Sequence, residues 1–152
     1  DDFLHRLVNH VRETFGAQHG LELAGSKLAL RRTLNACEHV KKQLSSTAKA
    51  SIQLDCLIED IDFVMSVSRD EFENMCMDLF IRMLEPVYQV LRDANVEKHQ
   101  VDHVILAGGS AKIPRVQQLL SQILPQCTFN LSLPADEIIA QGAAIYASEL
   151  CQ

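Results

Sequence analysis

The stretch that most constrains how this chain folds is HVILAGGSAKIPRVQQLL, residues 103–120. It opens with the apolar run 104–107, which Gly108 and Gly109 close. A short apolar run bounded by glycines predicts a strand that is buried on both faces. Pro114 suits the first turn of a helix, where its missing N–H costs nothing. The apolar residues beyond it recur at helical spacing: Val116, Leu119, Leu120 and Ile123.

The turn inside this stretch has the features of an anion site. Gly108 and Gly109 permit a sharp bend and a close approach of the backbone to a ligand. Ser110 adds a hydroxyl and Lys112 adds a cation. A strand, a glycine turn and a helix start in this order direct backbone N–H groups at an anion, commonly a phosphate. An ordinary strand-to-helix turn that uses two glycines is the alternative, and the motif alone leaves it open.

A second polar group lies on an earlier helix. Ser26 is a suitable N-cap for a helix that reaches about Ser45. Four polar residues of that helix stand at i, i+3, i+4 and i+7 and therefore share one face: Glu38, Lys41, Lys42 and Ser45. This face is either a solvated surface with a Glu38–Lys42 pair or a ligand wall. Such a wall would offer a carboxylate for hydroxyls, two cations and one small hydroxyl.

The segments around these groups predict helices and a hairpin. A helix is expected over residues 1–20, and two alternating segments are expected to pair through a turn at Glu59-Asp60. Ser68 should cap a long helix over about residues 69–94, which Pro86 should kink or split. The apolar face of the hairpin is expected to hold Ile52, Leu54, Cys56, Ile61, Phe63, Met65 and Val67.

The C-terminal part predicts a strand and a final helix, so the chain as a whole belongs to the α/β class. The strand is expected at residues 128–131 and the helix is expected to begin at residues 134–137. Its two acids favour a helix N-terminus. The small residues at 142–144 should let this helix approach the sheet closely.

Composition argues against several kinds of function. Of the 152 residues, 47% are hydrophobic. The net charge of -6 does not suit binding to nucleic acid through phosphates. No apolar run approaches the ~20 residues that cross a bilayer. Five scattered cysteines in apolar contexts predict reduced core thiols in a cytoplasmic compartment. The six histidines lack the spacing of metal ligands, so no metal site is expected.

Several stretches of the chain, in one order, resemble the second lobe of the ATPase domain of the 70-kilodalton heat-shock chaperones. They are DDFLHRLVNH, ACEHVKKQLSS, KASIQLDCLIEDIDF, ILAGGSAKIPRVQQLL and PADEIIAQGAA. The resemblance covers essentially the whole chain. It implies a lobe of the actin-like ATPase fold, with a helix–hairpin subdomain over residues 1–100 and a strand–GGS–helix nucleotide-binding portion over residues 101–152.

The resemblance also implies that the two polar groups are walls of one adenosine pocket. In that family, the residues that match Glu38 and Lys41 hold the ribose hydroxyls, and the residue that matches Ser45 hydrogen-bonds to the base. Those that match Lys42 and Lys112 flank the adenine from opposite sides. The other implied cofactor-binding residues belong to the phosphate loop and to an acid near the nucleotide: Gly108, Gly109, Ser110, Ile113 and Asp136.

Two departures from the family pattern fall in this implied pocket. The family typically has arginine where Lys42 and Lys112 stand. A guanidinium plane stacks on adenine, whereas an ammonium makes a weaker cation–π contact. The family's Asn-Pro-Asp-Glu segment reads Pro-Ala-Asp-Glu here, at residues 134–137. We therefore predict weaker adenine binding than in members that carry arginine.

The function implied is that of a fragment of a cytoplasmic chaperone ATPase, which binds ATP or ADP and couples the nucleotide state to protein folding. The first residue is Asp1 rather than methionine, which fits a fragment. In the family, magnesium carboxylates and catalytic groups come from the other lobe, so we expect no catalytic residue and no direct magnesium ligand here. Expected partners are nucleotide-exchange co-chaperones and, through an absent domain, unfolded clients. The alternatives are a non-catalytic module that binds co-chaperones with little nucleotide affinity, and a sugar-kinase lobe.

Overall fold

The structure, a computed structural model, describes residues 1–130 and 134–150. Its mixture of helices and strands agrees with the α/β class. The chain divides into two compact units, 1–81 and 82–152, while the subdomain boundary near residue 100 stays a prediction. In chain order the described elements are α1 (Asp2–His19), α2 (Lys27–Leu44), β1 (Lys49–Ile58), β2 (Ile61–Ser68), α3 (Arg69–Met75), α4 (Met77–Asp93), β3 (His103–Ile105), α5 (Pro114–Ile123), β4 (Thr128–Asn130) and α6 (Ile138–Leu150).

Helices α1 and α2 begin and end where the sequence predicts. The Asp1 carboxylate accepts a hydrogen bond from the Phe3 N–H at 3.1 Å, and Gly20 ends α1 in the left-handed conformation at φ 68°. The Ser26 hydroxyl accepts a hydrogen bond from the Ala29 N–H at 3.2 Å at the start of α2. These caps satisfy backbone groups that a helix end leaves unpaired. The helix that carries the polar residues of α2 is therefore capped at its N-terminus.

The core of the first unit lies between α1, α2 and one face of the hairpin. Phe15 of α1 meets Phe63 of β2 edge to face, with ring centroids 5.6 Å apart, and Phe3 contacts Phe80 with centroids 5.0 Å apart. Edge-to-face pairs add to the free energy gained by burying the rings. The other large side chains that are almost completely buried are Leu7, Val11, Leu23, Val40, Leu44, Ile52, Val67 and Phe72.

The hairpin is confirmed, with β1 and β2 antiparallel. Its turn is at Glu59 and Asp60, whose φ angles are 51° and 60°. Positive φ at both central residues is the geometry of a tight hairpin turn that matches the twist of the strands. The two acids therefore stand at the exposed tip of the hairpin.

Because of a β-bulge, the apolar face of the hairpin differs from the predicted one. The register shifts between Leu54 and Ile58, and Cys56 has φ 42°. An inserted residue reverses the side on which the following side chains lie. Cys56 is therefore exposed, and Leu57 is buried in its place. The Cys56 N–H donates to the Asp62 carboxylate at 2.7 Å, which gives this amide a partner outside the ladder.

The long helix is also interrupted at a different place from the one predicted. The break is at Cys76, between α3 and α4, whereas α4 continues through Pro86. At the break the Cys76 N–H bonds back to the Glu73 carbonyl at 3.2 Å, so the last turn of α3 tightens. Pro86 removes one backbone donor, and α4 continues past that loss as one helix.

The second unit holds a parallel pair, β3 and β4. The expected doubly buried strand at residues 104–107 is wrong, because β3 ends at Ile105, which is 60% exposed. Within the described residues this sheet has two strands, so β3 and β4 are both edge strands. The strand predicted at residues 128–131 is confirmed through Asn130, and Leu131 lies outside the described residues. Helix α5 begins at Pro114, as predicted.

The last helix differs from its prediction in two ways. Helix α6 begins at Ile138, because residues 134–137 form a turn before it. A Cβ added at Gly142 would meet no atom within 4 Å, and α6 has no buried residue among those described. The small residues therefore do not bring α6 close to the sheet, and Ile139 and Tyr146 are exposed.

The cysteines only partly follow the prediction of core thiols. Cys37 and Cys76 are buried free thiols, and burial raises their pKa to about 12 and about 11. Cys56 is exposed, and Cys127 is half-buried with its thiol 2.9 Å from the Val101 carbonyl. Cys151 lies outside the described residues. The two buried thiols are too weakly acidic to act as nucleophiles.

Candidate functional site

The polar face of α2 is built around one carboxylate. Glu38 lies between two lysines, with Oε2 2.9 Å from the Lys41 Nζ and Oε1 3.5 Å from the Lys42 Nζ. Spacings of three and four residues place both cations beside the acid on the helix surface. Ser45 follows the last turn, and its N–H donates to the Lys42 carbonyl at 3.2 Å. The structure thus joins three of the four predicted residues in an ion-pair network.

The two lysines differ in exposure. The Lys41 side chain is 11% exposed, whereas that of Lys42 is 70% exposed. The hydrogen bond from Lys41 is the main cause that lowers the pKa of Glu38, and the charges of both lysines lower it further. Glu38 is therefore held ionised as an acceptor for hydroxyl groups. Lys42 keeps an accessible stem and ammonium.

Sequence reasoning missed one member of this network, Asp1. Its carboxylate makes a close ion pair with the Lys41 Nζ, across 40 positions of sequence. Local spacing rules describe neighbours on one helix, so they carry no signal for a contact between the start of α1 and the end of α2. Lys41 therefore has two carboxylate partners, Asp1 and Glu38.

In the second unit, the glycine loop is a short 3₁₀ turn. Gly108 has φ 89°, which favours glycine, and its N–H donates to the Ala135 carbonyl at 2.6 Å. The turn spans Gly109–Lys112, so the chain does not pass directly from the glycines into α5. The first amides of such a turn have no partner within it. The N–H groups of Gly109 and Ser110 are therefore the donors that this loop can offer to an anion.

The predicted residues beyond the glycines have different environments. The Ile113 side chain is buried at 3% exposure, so it packs in the core. The Lys112 Nζ lies 3.1 Å from the Asp136 Oδ1, and both side chains are more than half exposed. The Lys112 hydrogen bond is the main cause that lowers the Asp136 pKa. Together with the Gly108–Ala135 bond, this pair attaches the loop to the turn before α6.

Comparison with known proteins decides the family. A family model described as "Hsp70 protein" matches residues 1–151. The chain belongs to the Hsp70 family. This confirms the resemblance to the 70-kilodalton heat-shock chaperones and assigns the chain to a family of chaperones.

Three relatives show how much of an Hsp70 protein is covered. The chain is 43% identical to heat shock cognate 70 kDa protein 3 of Dictyostelium discoideum, over 99% of the chain and 24% of that protein. It is 45% identical to the heat shock 70 kDa protein of Neurospora crassa, over 99% of the chain and 23% of that protein. It is 42% identical to a ribosome-associated molecular chaperone of Eremothecium gossypii, over 98% of the chain and 24% of that protein. The chain thus spans about a quarter of the length of these Hsp70 relatives.

Other features of this Hsp70 chain lie apart from the predicted residues. A cavity of about 900 Å³ lies beside the end of α4 and is lined by residues between Tyr88 and Gln100. None of the predicted site residues lines this cavity. In residues 1–130 and 134–150, no group of three or more histidines, cysteines or acids has the arrangement of a metal site. No helix in the same ranges is long and apolar enough to cross a membrane.

Proposed function

We propose that this Hsp70 chain binds the adenosine and phosphates of ATP or ADP as part of a lobe of an actin-like ATPase. The observation that carries the proposal is the ionised Glu38 held between Lys41 and Lys42. A fixed carboxylate beside an ammonium suits a ribose diol, because one hydroxyl can donate to the acid while the other accepts from the cation. Lys42, which is 70% exposed, is accessible to the face of a base.

The loop of the second unit supports the phosphate part of the proposal. Gly109 and Ser110 offer backbone donors at the start of a turn. Lys112, which we assign to the adenine, pairs with Asp136 beside this loop. The family resemblance assigns the carboxylates around the metal to the other lobe, so we propose that magnesium in the complete ATPase is held by residues outside this chain. We assign no catalytic residue here, since phosphoryl transfer depends on a full set of positioned metal and cationic groups.

In the whole protein we propose that nucleotide binding is coupled to the folding of client proteins in the cytoplasm. The name of the Eremothecium gossypii relative, a ribosome-associated molecular chaperone, supports this role. The free thiols of Cys37 and Cys76 support a reducing compartment. Clients would bind through parts of the protein beyond this chain.

The adenine assignment predicts that Lys42→Arg combined with Lys112→Arg strengthens ADP binding by about tenfold. Each guanidinium adds a planar face and a fork of donors. A cation–π contact contributes about 0.5–2 kcal/mol, and 1.4 kcal/mol corresponds to about a factor of ten in affinity. Calorimetric titration of the full-length protein with ADP measures the change.

Lys27→Arg is the matched control, because Lys27 is an exposed lysine at the opposite end of α2. It should leave the ADP affinity unchanged. If the double variant is folded and binds ADP no more tightly than the original protein, the assignment of Lys42 and Lys112 to the adenine is wrong. If the original protein binds neither ADP nor ATP, the nucleotide function itself is wrong.

A second candidate function is a docking surface for a nucleotide-exchange co-chaperone on the hairpin. The outward side of the hairpin is polar, apart from Val64, which is 63% exposed. Glu59 and Asp60 form its exposed tip. A strand face that is polar around one apolar side chain and ends at two acids fits a basic partner surface. In this alternative, nucleotide binding would be weak.

We expect Glu59→Gln combined with Asp60→Asn to weaken a co-chaperone complex without lowering the melting temperature. Asparagine tolerates the positive φ of Asp60. Glu13→Gln combined with Glu85→Gln removes the same charge from exposed helix positions and should have little effect on binding. Equal losses in both variants would show a general charge effect. Unchanged binding in the tip variant would place the partner surface elsewhere.

A further inference from the structure

We propose that Asp1 is a positioning residue for the ribose-binding group, acting through Lys41 on Glu38. This inference rests on the proposed nucleotide function. The observation behind it is a chain of contacts in the first unit: the Asp1 carboxylate pairs with the Lys41 Nζ, which lies 2.9 Å from the Glu38 Oε2. One ammonium thus connects the start of α1 with the ligand face of α2.

Asp1 is fixed at two points. One carboxylate oxygen accepts a hydrogen bond from the Phe3 N–H at 3.1 Å, which caps α1, and the other contacts Lys41. The capping bond orients the carboxylate relative to α1. Helix α1 is in turn attached to the core through Phe15 and its contact with Phe63. The Asp1 carboxylate therefore limits the rotamers that the Lys41 side chain can adopt.

The number of N–H donors on the Lys41 ammonium limits how many partners it can bind. A lysine ammonium carries three N–H donors. The geometry directs one to Asp1 and one to Glu38, which leaves one for a ligand. The Lys41 side chain is 11% exposed, so its stem is enclosed while the head group stays between the two acids. The remaining donor and the Glu38 carboxylate together define a site for two neighbouring hydroxyls.

Asp1→Asn separates the two roles of this residue. Asparagine is as good an N-cap as aspartate, so α1 should keep its cap and the protein should stay folded. The charge that holds Lys41 is lost. The matched control is Asp78→Asn, which removes a different ion pair of α1, between Arg6 and Asp78, that includes neither Lys41 nor Glu38. Both variants remove one carboxylate from the first unit.

The first measurement needs no nucleotide. Acetylation of the ligand-free, full-length protein by an amine reagent is followed by mass spectrometry, with the exposed Lys42 as the internal reference. Lys41 should react more slowly than Lys42 in the original protein. Asp1→Asn should increase the rate at Lys41 several-fold relative to Lys42, and Asp78→Asn should not. An unchanged ratio in Asp1→Asn would overturn the inference.

The second measurement is affinity for ADP and for 2′,3′-dideoxy-ADP. Asp1→Asn should weaken ADP binding by about 2- to 5-fold, the scale of one lost ion pair. It should leave dideoxy-ADP binding unchanged, and Asp78→Asn should change neither. Equal weakening of both ligands, or an unaffected ADP affinity, would overturn the positioning role alone. If the original protein does not bind ADP, the proposed function fails, and this inference fails with it.

Discussion

Phe63→Ala is expected to lower the free energy of unfolding of the first unit by about 3–5 kcal/mol, the usual cost of truncating a buried phenylalanine. The ring is 1% exposed and packs edge to face on Phe15. The truncation would remove apolar contacts, the aromatic pair, and the connection between α1 and the hairpin. Chemical denaturation followed by circular dichroism measures the change.

The neighbouring residue supplies the control for this prediction. Val64 is on the opposite face of the same strand and is 63% exposed. Val64→Ala should change the free energy of unfolding by no more than about 0.5 kcal/mol. Similar losses in the two variants would show that the hairpin does not pack on α1 in the way described.

Glu38→Ala is expected to weaken ADP binding by about tenfold or more, because hydrogen bonds to charged groups contribute about 1.5–3 kcal/mol. The carboxylate is ionised beside Lys41 and Lys42, so its loss removes the acceptor for a ribose hydroxyl. It also leaves Lys41 with Asp1 as its remaining acidic partner in the described network. Calorimetric titration of the full-length protein provides the affinity.

The nucleotide itself provides the control for Glu38. A dideoxyribose nucleotide lacks the contacted hydroxyls, so its affinity should be insensitive to Glu38→Ala. An equal loss for ADP and dideoxy-ADP would indicate a general disturbance of α2. Unchanged ADP binding in a folded variant would show that the ribose does not lie at Glu38.

The elements whose ends carry local signals were predictable from the sequence. Ser26 and Gly20 mark helix ends through their own backbone and side-chain chemistry, and Glu59-Asp60 marks the hairpin turn. The α2 face was predictable for the same reason, because helical spacing alone places Lys41 and Lys42 beside Glu38. In each case the information lies within a few residues of the feature.

Features that depend on distant or missing neighbours were not predictable. The bulge at Cys56 interrupts an alternation that reads as continuous, and the break at Cys76 has no glycine or proline to mark it. The exposure of Ile105 depends on what packs on that face of the sheet, which the sequence of β3 does not specify. The Asp1–Lys41 contact joins the N-cap of α1 to α2, and no local pattern in either segment predicts it.

Photo-crosslinking with 8-azido-ADP tests most directly whether this Hsp70 chain binds adenosine through the assigned residues. Mass spectrometry of the irradiated full-length protein locates the label. The proposal predicts label on the α2 peptide that contains Lys42 and on the loop peptide that contains Lys112, and predicts that excess ADP suppresses both. Label confined to other segments, such as the cavity between Tyr88 and Gln100, or label that ADP does not suppress, would contradict it.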